Sequence, residues 1–333
     1  MRNSAEIVPA ANSKPALKLV KTHDLNRDEW LAFRKKGIGS SDAAAAAGLN
    51  PYKSQLELWM EKTGRDAGLP KIDPNDESSP TYWGTLLEPI VAAHYTKRTG
   101  NRVRRINAVL QHPFEPWMLA NIDREVLGDS GVQVLECKTA GLNGVRLWKE
   151  GVPEYVQLQV MHQLAVTGKS AADVAVLVCG QELQVHRIQR DEQMIANLIE
   201  VERVFWRYVE TDQAPPADGS DSADQALRCL FPYDSGTSLD LSDDLEMSAV
   251  FDDLVAVRRV LAEHLQLEAQ LKQRIQQRMG EASRATFEGG DVTWKRSKDS
   301  NGFDLGRLLR ERPELATQFA VPTPGTRRFL VNT

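Results

Sequence analysis

The chain has 333 residues, 41% hydrophobic and 26% charged, with a formal net charge of −5. This length suffices for one large or two medium domains with a sizeable buried core. The pattern excludes three classes: no apolar run of about 18 residues predicts a membrane-spanning helix, the three cysteines form no disulfide framework, and they offer no Cys-x-x-Cys zinc spacing. A reducing, cytoplasmic compartment is the expectation that follows. A chain-wide basic signal for nucleic acid is absent. Basic charge is instead local: Lys97, Arg98, Arg102, Arg104 and Arg105 fall together without an acid, and Arg34, Lys35 and Lys36 form a second cluster. Solvated surface and a DNA-binding face both account for such clusters.

Residues 1–23 read as a loose polar leader without the apolar core of a secretory signal. An α/β domain is expected over 24–212. It opens with a helix capped by Asn26, with Glu29 completing a capping box. A second helix follows Ser40-Ser41-Asp42 and runs to Gly48, and a third starts at Ser54, with Glu57 as capping-box partner, and stops at Gly64. Another helix leads from the Trp83 region to Gly100. Strands are predicted over 102–110, 117–127 and 132–139, the last two joined at Gly128-Asp129-Ser130-Gly131. A helix over 155–166, strands over 173–178 and 183–188, and a helix over 191–210 complete the region. This order predicts an α/β core with a mixed sheet of about five strands. Residues 213–240, rich in Asp, Pro, Ser and Gly, read as a linker. The segment 241–333 reads as a C-terminal helical accessory region. It has one long helix over 242–279, then strand-like stretches over 285–296 and 327–331.

The chemistry concentrates in Asn121-Ile122-Asp123 and Val134-Leu135-Glu136-Cys137-Lys138-Thr139. Alternate residues of a strand share a face. Val132, Val134, Glu136 and Lys138 therefore face one way, and Leu135 and Cys137 the other. The opposite hairpin strand supplies Asp123. Two carboxylates and an ammonium at the end of a buried hairpin suit a hard divalent cation and a phosphate. Carboxylate oxygens hold the cation, and the lysine stabilises charge on the attacked phosphate or helps position the attacking water.

Asp123 followed by Glu136-x-Lys138 resembles the core signature of the PD-(D/E)xK nuclease superfamily, with Ile122 in place of the usual proline. Three flanking motifs narrow the resemblance to the YqaJ-like viral recombinases, the group that includes phage lambda exonuclease. They are Arg34-Lys-Lys-Gly-Ile-Gly-Ser-Ser41-Asp42, Trp83-Gly-Thr-Leu-Leu-Glu88-Pro, and Tyr155-Val-Gln157-Leu-Gln159, which stand in the family's order. The resemblance implies a restriction-endonuclease-like core, with a central mixed sheet flanked by helices. It implies that Glu88, Asp123 and Glu136 hold Mg²⁺, for which Mn²⁺ substitutes, with the backbone carbonyl of Cys137 as a further ligand. It gives Lys138 the attacking water, Gln157 a supporting role, and Arg34 and Ser41 a phosphate of the DNA end. It further implies 5′-to-3′ trimming of duplex ends for recombination in a bacterial or phage-infected cell, a single-strand annealing protein as partner, and a homo-oligomer, with no membrane association.

Other readings stand beside these. A structure-specific or nicking endonuclease would use the same site, and a non-catalytic DNA-binding or assembly module is a reading of another class. Ser41 also suits a helix N-cap, a compatible role because a helix N-terminus is an anion site. Gln159 reads as a surface residue, Trp83 as core, and His94 and His162 as structural.

Overall fold

Residues 16–21, 26–71, 73, 75–129, 131–322 and 325–332 are described in a computed structural model. The chain divides into two units, Met1–Phe231 and Pro232–Thr333. The first unit opens with β1 (Leu17–Lys21), inside the stretch expected to be a loose leader. It pairs antiparallel with a later strand, which gives its backbone groups ladder partners. The remainder of that leader lies outside the described residues. Next come α1 (Arg27–Arg34), β2 (Ile38–Gly39), α2 (Ala43–Ala46) and α3 (Gln55–Thr63). Both halves of the Asn26/Glu29 capping box form, each at 2.9 Å. A 3-10 turn over Ser40–Asp42 precedes α2, whose four alanines are all buried.

The chain continues through α4 (Pro80–Thr99), ended by Gly100 at φ 77°, a conformation glycine adopts without strain. Six strands follow with one helix among them: β3 (Arg102–Arg104), β4 (Ala108–Gln111), β5 (Met118–Ala120), β6 (Arg124–Leu127), β7 (Val134–Ala140), α5 (Glu154–Thr167) and β8 (Ala171–Val178). Then come β9 (Glu182–Gln189), α6 (Glu192–Glu210) and α7 (Asp221–Leu230). Helix α7 falls inside the expected linker 213–240. Its Ala223 and Ala226 are buried, and Ser222 explains where it docks. The Ser54 N–H donates to Ser222 Oγ at 2.8 Å, and Ser222 Oγ in turn donates to Glu57. Glu57 thus bonds α7, while Ser54 still caps α3 by accepting from the Glu57 N–H at 3.1 Å.

Two sheets form in this unit rather than one. The order β1-β4-β5-β2 makes a four-stranded sheet, and β3-β6-β7-β8-β9 a five-stranded one. The five-stranded sheet is mixed: β7 and β8 run parallel, and the other pairs antiparallel. The predicted single strands over 102–110 and 117–127 are each cut in two, with the halves in different sheets. Strand β7 parts the core as alternation requires. Val134 joins the larger cluster with α5 and α6, whereas Leu135 and Cys137 pack with Val91, Ala92 and Tyr95 of α4. Val132 packs with Leu135, not with Val134, because the strand begins only at Val134 and the alternation does not extend back to it. The result is the expected mixed sheet flanked by helices, with a second small sheet added.

The second unit has α8 (Leu245–Met279), the hairpin of β10 (Arg284–Phe287) and β11 (Gly290–Thr293), and two short helices, α9 (Leu305–Glu311) and α10 (Glu314–Gln318). Residues 327–331, predicted as strand-like, form no strand. Among the described residues no helix is long and apolar enough to cross a membrane.

One polar pair lies wholly inside the first unit. His162 of α5 meets Glu202 of α6 at 2.8 Å through Nδ1, and its Nε2 lies 2.9 Å from the Leu119 carbonyl. Burial alone would lower the imidazole pKa, but the Glu202 carboxylate raises it above its ordinary 6.5. Removing one partner of a buried pair strands the other, at a cost of ~3–5 kcal/mol. Glu202→Ala should therefore destabilise the protein by about that much in urea unfolding. A raised histidine pKa contributes stability fully below the unfolded value and loses it as pH rises through the folded one. The deficit of Glu202→Ala should accordingly be larger at about pH 6 than at pH 9; a deficit that grows with pH would contradict the charged pair.

Candidate active site

The chain passes from the four-stranded to the five-stranded sheet at residues 121–123, between β5 and β6. Asp123 sits at this crossing. Arg124 stands opposite Leu135 in the β6–β7 register, which brings Asp123 level with Glu136. The Cys137 N–H donates to Asp123 Oδ2 at 2.8 Å and fixes the carboxylate against β7. Glu136 and Lys138 share the face of β7 turned to α5, as their spacing predicts.

Helix α5 holds that pair with two glutamines four residues apart, on one face of the helix. Gln159 Nε2 donates to Glu136 Oε1 at 2.6 Å, and its Oε1 accepts from Lys138 Nζ at 2.9 Å. Lys138 Nζ lies 2.8 Å from Glu136 Oε1. Gln163 Nε2 donates to Glu136 Oε2 at 2.7 Å and reaches the Asn121 carbonyl at 3.3 Å. One helix face thus grips β7 and the sheet crossing together. Gln159, expected at the surface, is a central contact. Gln157, expected to support the site, instead donates to the Val152 carbonyl at 2.6 Å and is not brought to the cluster. The two residues are two apart on a helix, about 200° around the axis, so only one can face the sheet. The Gln159/Gln163 spacing was the available signal.

The electrostatics follow from crowding. Burial first, and then the neighbouring Glu136 charge, push the Asp123 carboxyl up to about 8 against the pull of the Cys137 N–H. Burial works against the Lys138 ammonium, but Glu136 outweighs it and raises the pKa. Burial also pushes the Cys137 thiol well above its usual range, so the Cys137 side chain is no thiolate ligand; only its backbone carbonyl is a candidate.

Glu88 projects from α4 nearby and contributes to raising Asp123. Its Oε1 accepts from Arg124 Nη1 at 2.5 Å and from Arg105 Nη2 at 3.1 Å, and Arg124 also reaches the Asp123 carbonyl at 2.6 Å. With Glu88 turned to the arginines, no group of three His, Cys, Asp or Glu side chains among the described residues stands ready as a metal cage. The donor chemistry nevertheless fits a hard divalent cation. Half-buried Asp123 and buried Glu136 are carboxylates whose mutual repulsion a cation would relieve, and both arginine contacts fall on Oε1 of Glu88, so Oε2 is the oxygen it could offer.

Arg34 and Ser41 are brought together. Arg34 Nη2 donates to Ser41 Oγ at 2.9 Å and to Asp42 Oδ1 at 2.8 Å. Ser41 therefore acts here as a partner of arginine, inside the 3-10 turn, and not as the N-cap of α2. Lys62 Nζ holds the other Asp42 oxygen at 2.7 Å. Burial pushes Asp42 up, but Lys62 and Arg34 more than reverse this and hold it far below the usual carboxylate range. Two cations on one carboxylate leave a net positive charge. The other basic run spreads over the end of α4, β3 and the loop beyond, all exposed: Lys97, Arg98, Arg102, Arg104 and Arg105. Part of its charge is engaged, because Arg98 donates to the Leu183 carbonyl, Arg104 pairs with Glu125, and Arg105 with Glu88. Trp83, expected in the core, is 46% exposed and donates through Nε1 to the Glu77 carbonyl at 2.7 Å.

Comparison with known proteins places the chain among its relatives. Residues 29–170 match the YqaJ-like viral recombinase domain. The chain is 33% identical over 308 residues to the uncharacterized protein YqaJ of Bacillus subtilis (strain 168), covering 91% of this chain and 93% of that one. It is 41% identical over 63 residues to protein D345L of African swine fever virus, 19% of this chain and 16% of that one. Among solved structures, an alkaline exonuclease from Laribacter hongkongensis is 26% identical, over 56% of this chain and 93% of that one, with a TM-score of 0.45. The identity with the Bacillus protein runs along almost the full length of both chains, and the chain belongs to the YqaJ-like viral recombinase family.

Proposed function

We propose that the chain is a Mg²⁺-dependent DNA nuclease that trims duplex ends from 5′ to 3′ and leaves single strands for an annealing protein. The observation that carries the reading is half-buried Asp123 level with buried Glu136, with Lys138 held beside them by Gln159. A purely structural site gains nothing from two carboxylates, one buried and one half-buried, that repel each other. A nuclease site does, because hydrolysing a phosphodiester needs concentrated negative charge to hold a cation. Asp123 and Glu136 would hold Mg²⁺, or Mn²⁺ in its place, with Glu88 turning an oxygen inward and the Cys137 carbonyl adding a ligand. When bound, the ion neutralises charge on the attacked phosphate and acidifies the attacking water. Gln159 and Gln163 keep Glu136 from rotating away. Lys138 is left with N–H donors beyond those spent on Gln159 and Glu136 to orient that water and stabilise the phosphate charge. Support for trimming from ends, for the annealing partner and for the direction comes from family membership and from the Arg34–Ser41 cluster. An endonuclease would use the same carboxylates, so the substrate decides between the two.

The deciding experiment compares end-labelled linear duplex with closed circular duplex, in Mg²⁺ and in excess chelator. The linear DNA should be degraded in Mg²⁺ only, and the circle should persist. Cleavage of the circle would reassign the enzyme as an endonuclease, and full activity in chelator would remove the metal role.

Lys138→Ala should slow single-turnover cleavage by ~10²–10³, the usual cost of one preorganised electrostatic group. Folding and cation binding, measured by thermal shift with added Mn²⁺, should persist. A variant within threefold of the parent would exclude the role given to Lys138.

Arg34 and Ser41 would take the terminal 5′ phosphate, which carries more charge than an internal diester. The net positive charge of Arg34, Lys62 and Asp42 favours that anion, and the arginine fork suits its oxygens. A charge-assisted hydrogen bond of ~1.5–3 kcal/mol corresponds to a preference of about tenfold or more for 5′-phosphoryl over 5′-hydroxyl ends. Arg34→Ala should erase that preference while still cutting 5′-hydroxyl ends. Equal rates on both ends with the parent enzyme, or an undiminished preference in the variant, would refute the pocket.

A further inference from the structure

The hairpin of β10 and β11 in the second unit has two unlike sides, and its register sets them. Ala285 stands opposite Val292 and Phe287 opposite Gly290, and residues opposite each other in a ladder share a side. The Trp294 N–H donates to the Ser283 carbonyl at 3.0 Å. This continues the ladder one step past β11 and holds Trp294 on the same side as Val292, two residues on. One side is therefore apolar. Ala285 and Val292 are half-buried at its middle, and Phe287 and Trp294 stand toward its ends, 50% and 49% exposed. Their backbone positions lie about 13 Å apart along the ribbon, four residues at the strand rise. The other side holds Arg284, Thr286, Asp291 and Thr293, all exposed, with Arg284 Nη2 3.0 Å from Asp291 Oδ1. Charge is sorted along the ribbon. The acids Glu288 and Asp291 lie at the turn end, while Lys295, Arg296 and Lys298 follow Trp294 at the open end. Exposed Arg278, in the last turn of α8, stands just before the hairpin. Arg296 is engaged by Asp299 at 2.6 Å, but Lys295 and Lys298 enter no ion pair among the described residues.

We propose that this hairpin binds single-stranded DNA, with Trp294 and Phe287 stacking unpaired bases and the cations after Trp294 holding the phosphates between them. Neither half of the pattern alone selects this ligand. A solvated basic run needs no open indole beside it, and an apolar protein contact needs no cations. The two together match a polymer that repeats a flat, weakly polar ring and a negative charge. Trp294 stacks one base, Lys295 and Lys298 take the adjoining phosphates, and Phe287 takes a second base farther along the ribbon. The ladder bond to Ser283 fixes the backbone at Trp294, so the ring is presented from an ordered position. A duplex offers the same phosphates but hides the faces of its bases, so it engages the cations alone. The choice of DNA over RNA rests on the nuclease reading, in which trimming one strand leaves the other single; the stacking argument itself does not.

Fluorescence anisotropy of a labelled oligothymidylate tests the site, with the full chain in excess chelator so that nothing is cut. A strand of abasic nucleotides of the same length carries the same charge without bases. Trp294→Ala should weaken binding of oligothymidylate about tenfold or more and leave the abasic strand within about threefold of the parent. Trp294→Phe keeps a ring that can stack and should stay within about threefold of the parent on both strands. Lys295→Gln with Lys298→Gln should weaken both strands and flatten the log–log salt dependence by about 1.4, at ~0.7 per phosphate on a single strand. Unchanged affinity for oligothymidylate in Trp294→Ala overturns the proposal and leaves the apolar side to a protein contact. Equal losses on the two strands, or a Trp294→Phe as weak as Trp294→Ala, also overturn it, because the indole then only holds the hairpin together. An unaltered salt dependence in the lysine variant removes the phosphate contacts and the proposal with them. Binding is read without cleavage, so its failure leaves the nuclease reading standing, and an enzyme that cuts nothing leaves this test intact.

Discussion

Asp123, at the turn into β6, lies level with buried Glu136 of β7, and the Glu136 charge adds to desolvation in disfavouring charge on Asp123. Everything around them answers that constraint. The Cys137 N–H takes one Asp123 oxygen, Lys138 takes a Glu136 oxygen, and two glutamine amides take what Glu136 has left. Even so Asp123 is driven up to about 8, a carboxyl that keeps its proton near neutrality. On the proposed reading such a group would exchange its proton for a metal ion, and the exchange would relieve the repulsion that adds to desolvation in raising its pKa.

The fold supplies this pair by changing sheets at the right place. If β5 and β6 were one continuous strand, residue 123 would be locked into a ladder and its neighbours paired on both sides. The crossing at residues 121–123 breaks the ladder and lets Asp123 lean on β7. It also leaves the Asn121 carbonyl available to Gln163. Helix α5 then ties both sides together. Its Gln159 and Gln163 reach the site, and its His162 reaches the Leu119 carbonyl of β5 and Glu202 of α6. The helix that builds the core is therefore the one that sets the site, and a shift in its packing would move Glu136 directly.

The sequence made the helices and their caps legible because those depend on neighbours a few residues apart: Asn26 with Glu29, Ser54 with the start of α3, and the glycines that end α3 and α4. It also marked Asp123, Glu136 and Lys138, since alternation in β7 is a local property. Tertiary choices were hidden. Nothing near residues 102–127 announces that the chain will change sheets twice, and the polar run around Ser222 looks like a linker until Ser54 and Glu57 are placed opposite it. Gln157 and Gln159 are equally polar and two residues apart, and only the orientation of α5 against β7 separates them.

The arginines around Glu88 show how far residue counting can mislead about charge. Arg105 belongs to a run of five exposed basic side chains, yet it and Arg124 converge on one Glu88 oxygen. In this state they neutralise a carboxylate that the metal-binding reading needs for itself. The two demands are compatible because they compete for one charge. On the proposed nuclease reading, a cation that drew Glu88 toward Asp123 would leave the guanidinium of exposed Arg105 without its countercharge. Arg124, buried and still bonded to the Asp123 carbonyl, stays behind as part of the scaffold. On that reading, a chain with net charge −5 would gain local positive charge at its site as the cation binds.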